Sequence, residues 1–187
     1  MSFQKTLEAS QEWARILHCS YVTDLNEIVE NGNIGELIRV SEALHEKRIA
    51  NIADEIARKI ATRRLVLIAG PSSSGKTSFA QRLRVQLRVM GLEPVSISMD
   101  DYFHNREDTP KKPNGEYDFE CLGAIDLPLF NHDLQKLLSG ELVRIPKFNF
   151  KKGIRDSKPS AVIQLKSNQP IIIEGIHGLN DRVSSSI

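Results

Sequence analysis

The chain has 187 residues, 40% of them hydrophobic and 26% charged, with a formal net charge of +1. That is enough for one main domain with an appendage, and the near-neutral balance supplies no strong field to draw nucleic acid or a membrane surface. No stretch reaches the apolar length of a membrane span, which excludes a membrane-crossing helix. The N-terminus, Met1-Ser2-Phe3-Gln4-Lys5, leads into a mixed polar helical pattern rather than the apolar core of a secretion signal. Cys19 and Cys121 stand far apart and in no metal-ligand spacing, so a reducing compartment fits and a cytoplasmic protein is the expectation.

Residues 1–61 read as a helical N-terminal segment without a phosphate motif. Leu7 to about Leu17 has Trp13, Ile16 and Leu17 on one side of an amphipathic helix. Asp24 to Val29 reads as a short helix stopped by Asn31-Gly32-Asn33. A longer helix is expected from about Gly35 to Ala61, with Leu37, Val40, Leu44, Ile52, Ile56 and Ile60 recurring mostly at three- or four-residue steps. Its charged run Glu46-Lys47-Arg48 reads as a solvated face. The exposed side of this segment is open to packing on its own domain or on another copy, so a homo-oligomer is one expectation.

Residues 62–187 read as a second domain. Leu65 to Ala69 is expected to be a buried strand, followed by Gly70-Pro71-Ser72-Ser73-Ser74-Gly75-Lys76-Thr77 and a helix to about Met90. The eight-residue stretch fits G-x-x-x-x-G-K-[ST], the phosphate-binding loop. Its glycines let the backbone turn and approach an anion, and successive N–H groups line a concave nest. Lys76 adds a point charge for terminal phosphates, and the Thr77 hydroxyl is suited to ligate Mg²⁺. Gly91-Leu92 reads as the helix stop, and Pro94 to Met99 as a second strand ending on Asp100-Asp101-Tyr102-Phe103. Strands alternating with helices predict an α/β fold with a parallel sheet flanked by helices, whose ligands bind beyond the strands' carboxyl ends.

Phosphoryl transfer needs an anion cradle, a metal and a group that deprotonates or orients the acceptor. Asp100 lies 24 residues after Lys76 (100 − 76), at the end of the next strand, where it is suited to act as a general base and to bind the metal. Lys76 and Asp100 are the expected catalytic pair. Asp101 reads as a capping or surface acid. His104 to Gly115 reads as a polar, mobile loop. The aromatic–acid cluster Tyr117-Asp118-Phe119-Glu120 either holds a polar ring or sugar or anchors its own loop. Asp126-Leu127-Pro128 reads as a helix start and Ser139-Gly140 as its stop. Leu142 to Pro146 and Ala161 to Leu165 are short strand candidates. The cations between them, in Lys147 to Arg155, face either phosphate or water. Pro170 to Ile173 reads as a fully apolar strand ending on Glu174-Gly175, and Glu174 is a second candidate to hold Mg²⁺.

Taken in order, Gly70 to Thr77, Ser98 to Phe103, Asp118 to Glu120 with Ala124-Ile125-Asp126, Ile145 to Phe150, and Ile173 to Ile176 resemble the uridine kinase / phosphoribulokinase family of P-loop kinases. The resemblance covers about residues 64–180. It implies a P-loop kinase domain that uses ATP and Mg²⁺ to phosphorylate a hydroxyl of a nucleoside or sugar-type small molecule. By resemblance Asp100 matches the catalytic base and lies near the metal, and Phe103 matches an aromatic of the acceptor pocket. Glu120, with Asp118 as the competing choice, matches an acid for the acceptor ribose. Phe148 matches an aromatic against the nucleobase, Glu174 a magnesium-binding glutamate, and Arg155 joins this group as a substrate-side cation. Where uridine–cytidine kinases carry a base-contacting histidine, this chain has Gly153. The family continues into an arginine-rich lid, whereas Arg182 is the only arginine after Arg155 before the chain stops at Ser184-Ser185-Ser186-Ile187. A piece of a longer protein is therefore expected. More loosely, residues 1–61 resemble the helical part preceding a nucleoside-kinase-like domain in bacterial proteins with a threonyl-tRNA-synthetase-like N-terminal region. The alternatives to a kinase are a nucleotide-binding regulatory protein and an inactive kinase fragment. A GTPase switch is disfavoured because no Asn-Lys-x-Asp motif occurs.

Overall fold

The computed structural model describes residues 3–184; Met1-Ser2 and Ser185-Ser186-Ile187, on which the readings of the two chain ends partly rest, lie outside the described residues. Contacts within the chain divide it into two units, Met1–Asn51 and Ile52–Ile187. The division falls inside a long helix. No Gly or Pro lies between Gly35 and Lys59, so nothing in the composition marks a break there.

The first unit is helical: α1 (Phe3–Ile16), α2 (Val22–Glu30) and the greater part of α3 (Ile34–Lys59). Asp24 starts α2 by accepting the backbone N–H groups of Ser20 and Tyr21 at 2.8 and 2.9 Å, which satisfies donors that a helix N-terminus leaves open. Gly32, at φ +74°, ends it. The Arg48 guanidinium lies 3.8 Å from the centre of the Trp13 ring, so one of the run's cations packs on an aromatic face instead of standing free in water. On α3 the fully buried positions are Ile49 and Ala53, while Val40 and Ile52 of the expected apolar stripe are exposed.

The second unit is built on a parallel three-stranded sheet in the order β1-β7-β2, formed by β1 (Leu65–Ala69), β2 (Val95–Ser98) and β7 (Ile171–Gly175). The last strand in the chain is thus the central one. Its Ile171, Ile172 and Ile173 have no solvent exposure, and each such burial stabilises the fold by about 1.5–3 kcal/mol. β1 pairs on one side only and is half-buried, not fully buried as the sequence suggests. The helix α4 (Lys76–Val89) follows β1, and a 3-10 turn (Met99–Tyr102) follows β2. Asp126 caps α5 (Leu127–Leu138) through its Oδ1, which accepts the Leu129 N–H at 3.1 Å. β3 (Leu142–Ile145) and β6 (Ala161–Gln164) pair antiparallel with each other and not with the main sheet. Between them lies a small hairpin, β4 (Phe148–Asn149) with β5 (Ile154–Arg155), in the stretch read only as a cation-rich connection. A short helix, α6 (Asp181–Ser184), closes the described chain. Met99, Tyr102, Ile125, Phe130, Leu134 and Ile173 are among the buried core side chains that join sheet, turn and α5.

The segment from His104 to Gly115 is pinned more firmly than its polar composition suggests. It holds a 3-10 turn (Arg106–Asp108), a buried Thr109, and a bridge between Lys111 and Tyr117.

Candidate functional site

Residues Gly70 to Thr77 link β1 to α4. Ser73 and Gly75 adopt left-handed backbone conformations, φ +59° and +85°, and such turns gather N–H groups into an anion-binding nest. Gly75 is also the residue from which α4 starts, so the open N–H groups and positive end of that helix face the same concavity. A Cβ on Gly70 would lie 2.7 Å from Ser74 Oγ, which explains glycine at the loop's entrance. Lys76 Nζ donates to the Pro71 carbonyl at 2.8 Å, which holds the ammonium over the loop.

Parallel pairing brings the acids to this loop. In the register, Glu174 of β7 sits opposite Ile68 of β1 and Ser98 of β2. The Thr77 hydroxyl donates to the Glu174 carboxylate, 3.0 Å from each oxygen. Asp100 follows β2 in the 3-10 turn, its N–H donating to Ser98 Oγ at 3.3 Å. Burial pushes the Asp100 carboxyl above the ordinary aspartate range, repulsion from Glu174 and Asp101 adds to this, and the Lys76 ammonium counteracts it. Asp100 therefore lies within electrostatic reach of both Lys76 and Glu174. The Thr77 hydroxyl with two neighbouring carboxylates is an all-oxygen set of the kind Mg²⁺ accepts together with water and phosphate oxygens, and two mutually repelling acids favour a cation between them. Among the described residues no group of three or more His, Cys, Asp or Glu gathers to hold a metal by itself.

Beyond Asp100 stands an aromatic wall. Phe103 meets Phe148, Phe150 and Phe119 with ring centres 5.6, 6.1 and 6.4 Å apart, and Phe119 meets Tyr117 at 6.0 Å. Phe103 and Phe148 are brought together, and both are buried; the rings exposed on this wall are Phe119 and Phe150. Phe150 was not among the sequence candidates, although its two-residue spacing from Phe148 places both rings in one cluster. The Asp118 carboxylate accepts the Glu120 N–H at 3.2 Å and stabilises its own turn, while Glu120 is exposed. A polar cleft of about 270 Å³ is lined by Arg106, Glu107, Tyr117, Lys152, Gly153 and Ile154.

Two residues depart from their sequence reading. Arg155, expected toward substrate, turns inward. Its Nε donates to the Phe103 carbonyl at 2.9 Å, its Nη2 to the Tyr102 carbonyl at 2.9 Å, and its Nη1 pairs with Asp126 at 3.1 Å. All three guanidinium nitrogens are engaged with the protein. Asp101, read as a capping or surface acid, accepts the Phe148 N–H on its Oδ1 at 3.3 Å. Burial raises its proton affinity, against the pull of that N–H and of Lys147.

The model of the phosphoribulokinase / uridine kinase family matches residues 65–186, more than half of the chain. A uridine kinase of Schizosaccharomyces pombe is 34% identical over 126 residues, covering 66% of this chain and 27% of the relative. One from Deinococcus deserti is 29% identical over 115 residues, covering 61% of this chain and 53% of the relative. The chain thus spans about a quarter to a half of these relatives' lengths. Among solved structures, a protein described as a possible uridine kinase from Bacillus stearothermophilus superposes with a TM-score of 0.57 at 22% identity, covering 72% of this chain and 75% of its own. A D-glycerate 3-kinase from Cryptococcus neoformans gives 0.56 at 22% identity, covering 71% and 52%. The superpositions show a shared α/β fold, and the match through loop, Asp100 turn and Glu174 strand shows the lineage: the chain belongs to the phosphoribulokinase / uridine kinase family.

Proposed function

We propose that the chain is the core of an ATP-dependent kinase that phosphorylates a hydroxyl of a nucleoside or sugar-type small molecule. The observation that carries this reading is the meeting of Thr77, Glu174 and the Asp100 turn at one sheet edge, beside the nest of Gly70 to Thr77. The nest residues Gly70, Pro71, Ser72, Ser73, Ser74 and Gly75 bind the nucleotide phosphates, and Lys76 moves from its resting contact on Pro71 to the terminal phosphate. Thr77, Asp100 and Glu174 would hold Mg²⁺, which supplies charge neutralisation at the phosphates when bound. Asp100 orients the acceptor hydroxyl and takes its proton, a contribution typically worth about 10²–10⁴-fold. Its raised proton affinity brings the base closer to working pH.

The wall around Phe103, Phe119, Phe148 and Phe150 forms the acceptor side, with Glu120 free to meet a sugar hydroxyl. A Cβ at Gly153 would lie 2.8 Å from Arg106 Nε, so the guanidinium occupies the space a larger side chain would need. This supports an acceptor whose recognition does not use a side chain at that point, unlike the histidine-bearing uridine–cytidine kinases.

The test is ADP release from Mg-ATP with uridine, cytidine, D-ribose and D-glycerate as acceptors. One of these is expected to stimulate release, and Asp100→Asn is expected to lose turnover by at least ~10²-fold while still binding nucleotide through the nest and Lys76. Retained turnover in Asp100→Asn contradicts the assignment of the base. Nucleotide binding without turnover on any acceptor favours a regulatory protein.

A further inference from the structure

The acceptor hairpin is laced to the catalytic turn at several points along its length. At its start, the Phe148 N–H donates to Asp101, the residue directly after Asp100. At its end, Arg155 reaches the carbonyls of Tyr102 and Phe103, the two residues after Asp101. The Arg155 N–H donates to Asn105 Oδ1 at 3.0 Å, and at the tip the Arg106 N–H donates to the Gly153 carbonyl at 2.7 Å. Arg155 also grips Asp126, whose other carboxylate oxygen caps α5. A single guanidinium therefore joins the hairpin, the exit of the Asp100 turn and the start of α5. Asp100 and Asp101 are neighbours in a four-residue 3-10 turn, so a tether on one restrains the backbone of the other.

We infer that Asp101 and Arg155 are positioning residues that hold the Phe148–Arg155 hairpin against the turn bearing Asp100, so that an acceptor on the aromatic wall meets the base in one fixed orientation. This rests on the reading of Asp100 as the base. Neither residue touches the acceptor; each acts through the geometry of the wall. Misplacing reacting groups by about an ångström can cost roughly 10²-fold in rate, far more than the stability at stake in half-exposed hydrogen bonds suggests.

The test compares Asp101→Ala, Asp101→Asn, Arg155→Gln and wild type by steady-state kinetics on the acceptor that the screen identifies, by Mg-ATP calorimetry and by amide hydrogen exchange. Asp101→Ala and Arg155→Gln are expected to lower kcat by roughly 10- to 100-fold with Mg-ATP affinity held within about twofold. They are also expected to speed exchange in residues 148–155. Asp101→Asn, whose amide oxygen can accept the same Phe148 N–H, is expected to recover kcat to within about threefold and to restore protection. The inference is overturned if Asp101→Ala keeps kcat and protection, or if Asp101→Asn is as damaging as Asp101→Ala. It is equally overturned if the variants lose Mg-ATP affinity and protection of β1 and α4 in parallel, since that marks a general structural role. Absence of turnover in the wild type on every acceptor removes the kinase reading instead. The exchange data then decide the tether: faster exchange confined to the hairpin and turn supports it, and unchanged exchange refutes it.

Discussion

Asp100 sits where burial and the Glu174 carboxylate both disfavour its charged form and Lys76 favours it. In its proposed role as base Asp100 works only when deprotonated, so the acid limb of kcat/KM for Mg-ATP, which reports the enzyme before the cation binds, is expected above the 3.8 of an ordinary aspartate. Glu174→Gln removes one raising cause and is expected to move that limb to lower pH, whatever it does to kcat. The same shift bears on stability. A carboxyl that binds its proton more tightly when folded contributes stability in full below its unfolded pKa, and that contribution is lost as pH rises through the raised folded value. At neutral pH the charged Asp100 therefore opposes folding. Asp100→Asn is expected to raise Tm at pH 7.5, with the gain shrinking as pH falls toward 4, while turnover is lost; thermal scans across pH check this. The sequence points to Lys76, Thr77 and Asp100 as candidates because their signals lie in short, contiguous motifs. It does not show the inward turn of Arg155, because the partners Tyr102, Phe103 and Asp126 are remote in sequence and a cation's spacing says nothing of which way it turns.

The elements that local chemistry specifies were readable: the stop of α4 at Gly91, the Asp126 cap of α5, the apolar run of β7. What escaped was pairing. Nothing in Ile171 to Gly175 announces that it inserts between β1 and β2, yet that insertion is what brings Glu174 to Thr77. The β4–β5 hairpin escaped for a related reason, since two-residue strands carry too little alternation to register. Two substitutions probe this level. A Cβ on Gly175 would lie 2.8 Å from the Cβ of Met99, the first residue of the Asp100 turn. Gly175→Ala is expected to destabilise by about 1–3 kcal/mol in chemical denaturation and to lower turnover through the displaced turn. Tyr102 packs edge-on against Phe130 and donates its hydroxyl proton to the buried Asp133 at 3.2 Å. Tyr102→Phe leaves that carboxyl without its donor and is expected to cost about 1–3 kcal/mol, read by the same measurement.

At the scale of the molecule, one chain holds a helical unit and a family-matched α/β unit, and among the described residues no helix is long and apolar enough to cross a membrane. The fold class was readable from the alternation of strands and helices. In the proposed kinase, Gly70 to Thr77 and Asp100 form one nucleotide-handling site with separate duties. Titration of Mg-ATP into wild type, Lys76→Ala and Asp100→Asn by calorimetry separates these duties. Wild-type binding should weaken at least about tenfold in Lys76→Ala, a loss of roughly 1.4 kcal/mol, and by less in Asp100→Asn, whose amide oxygen can still face Mg²⁺. A folded wild-type chain that binds no Mg-ATP, or a Lys76→Ala variant that binds it as well as wild type, would rule out Gly70 to Thr77 as the nucleotide site.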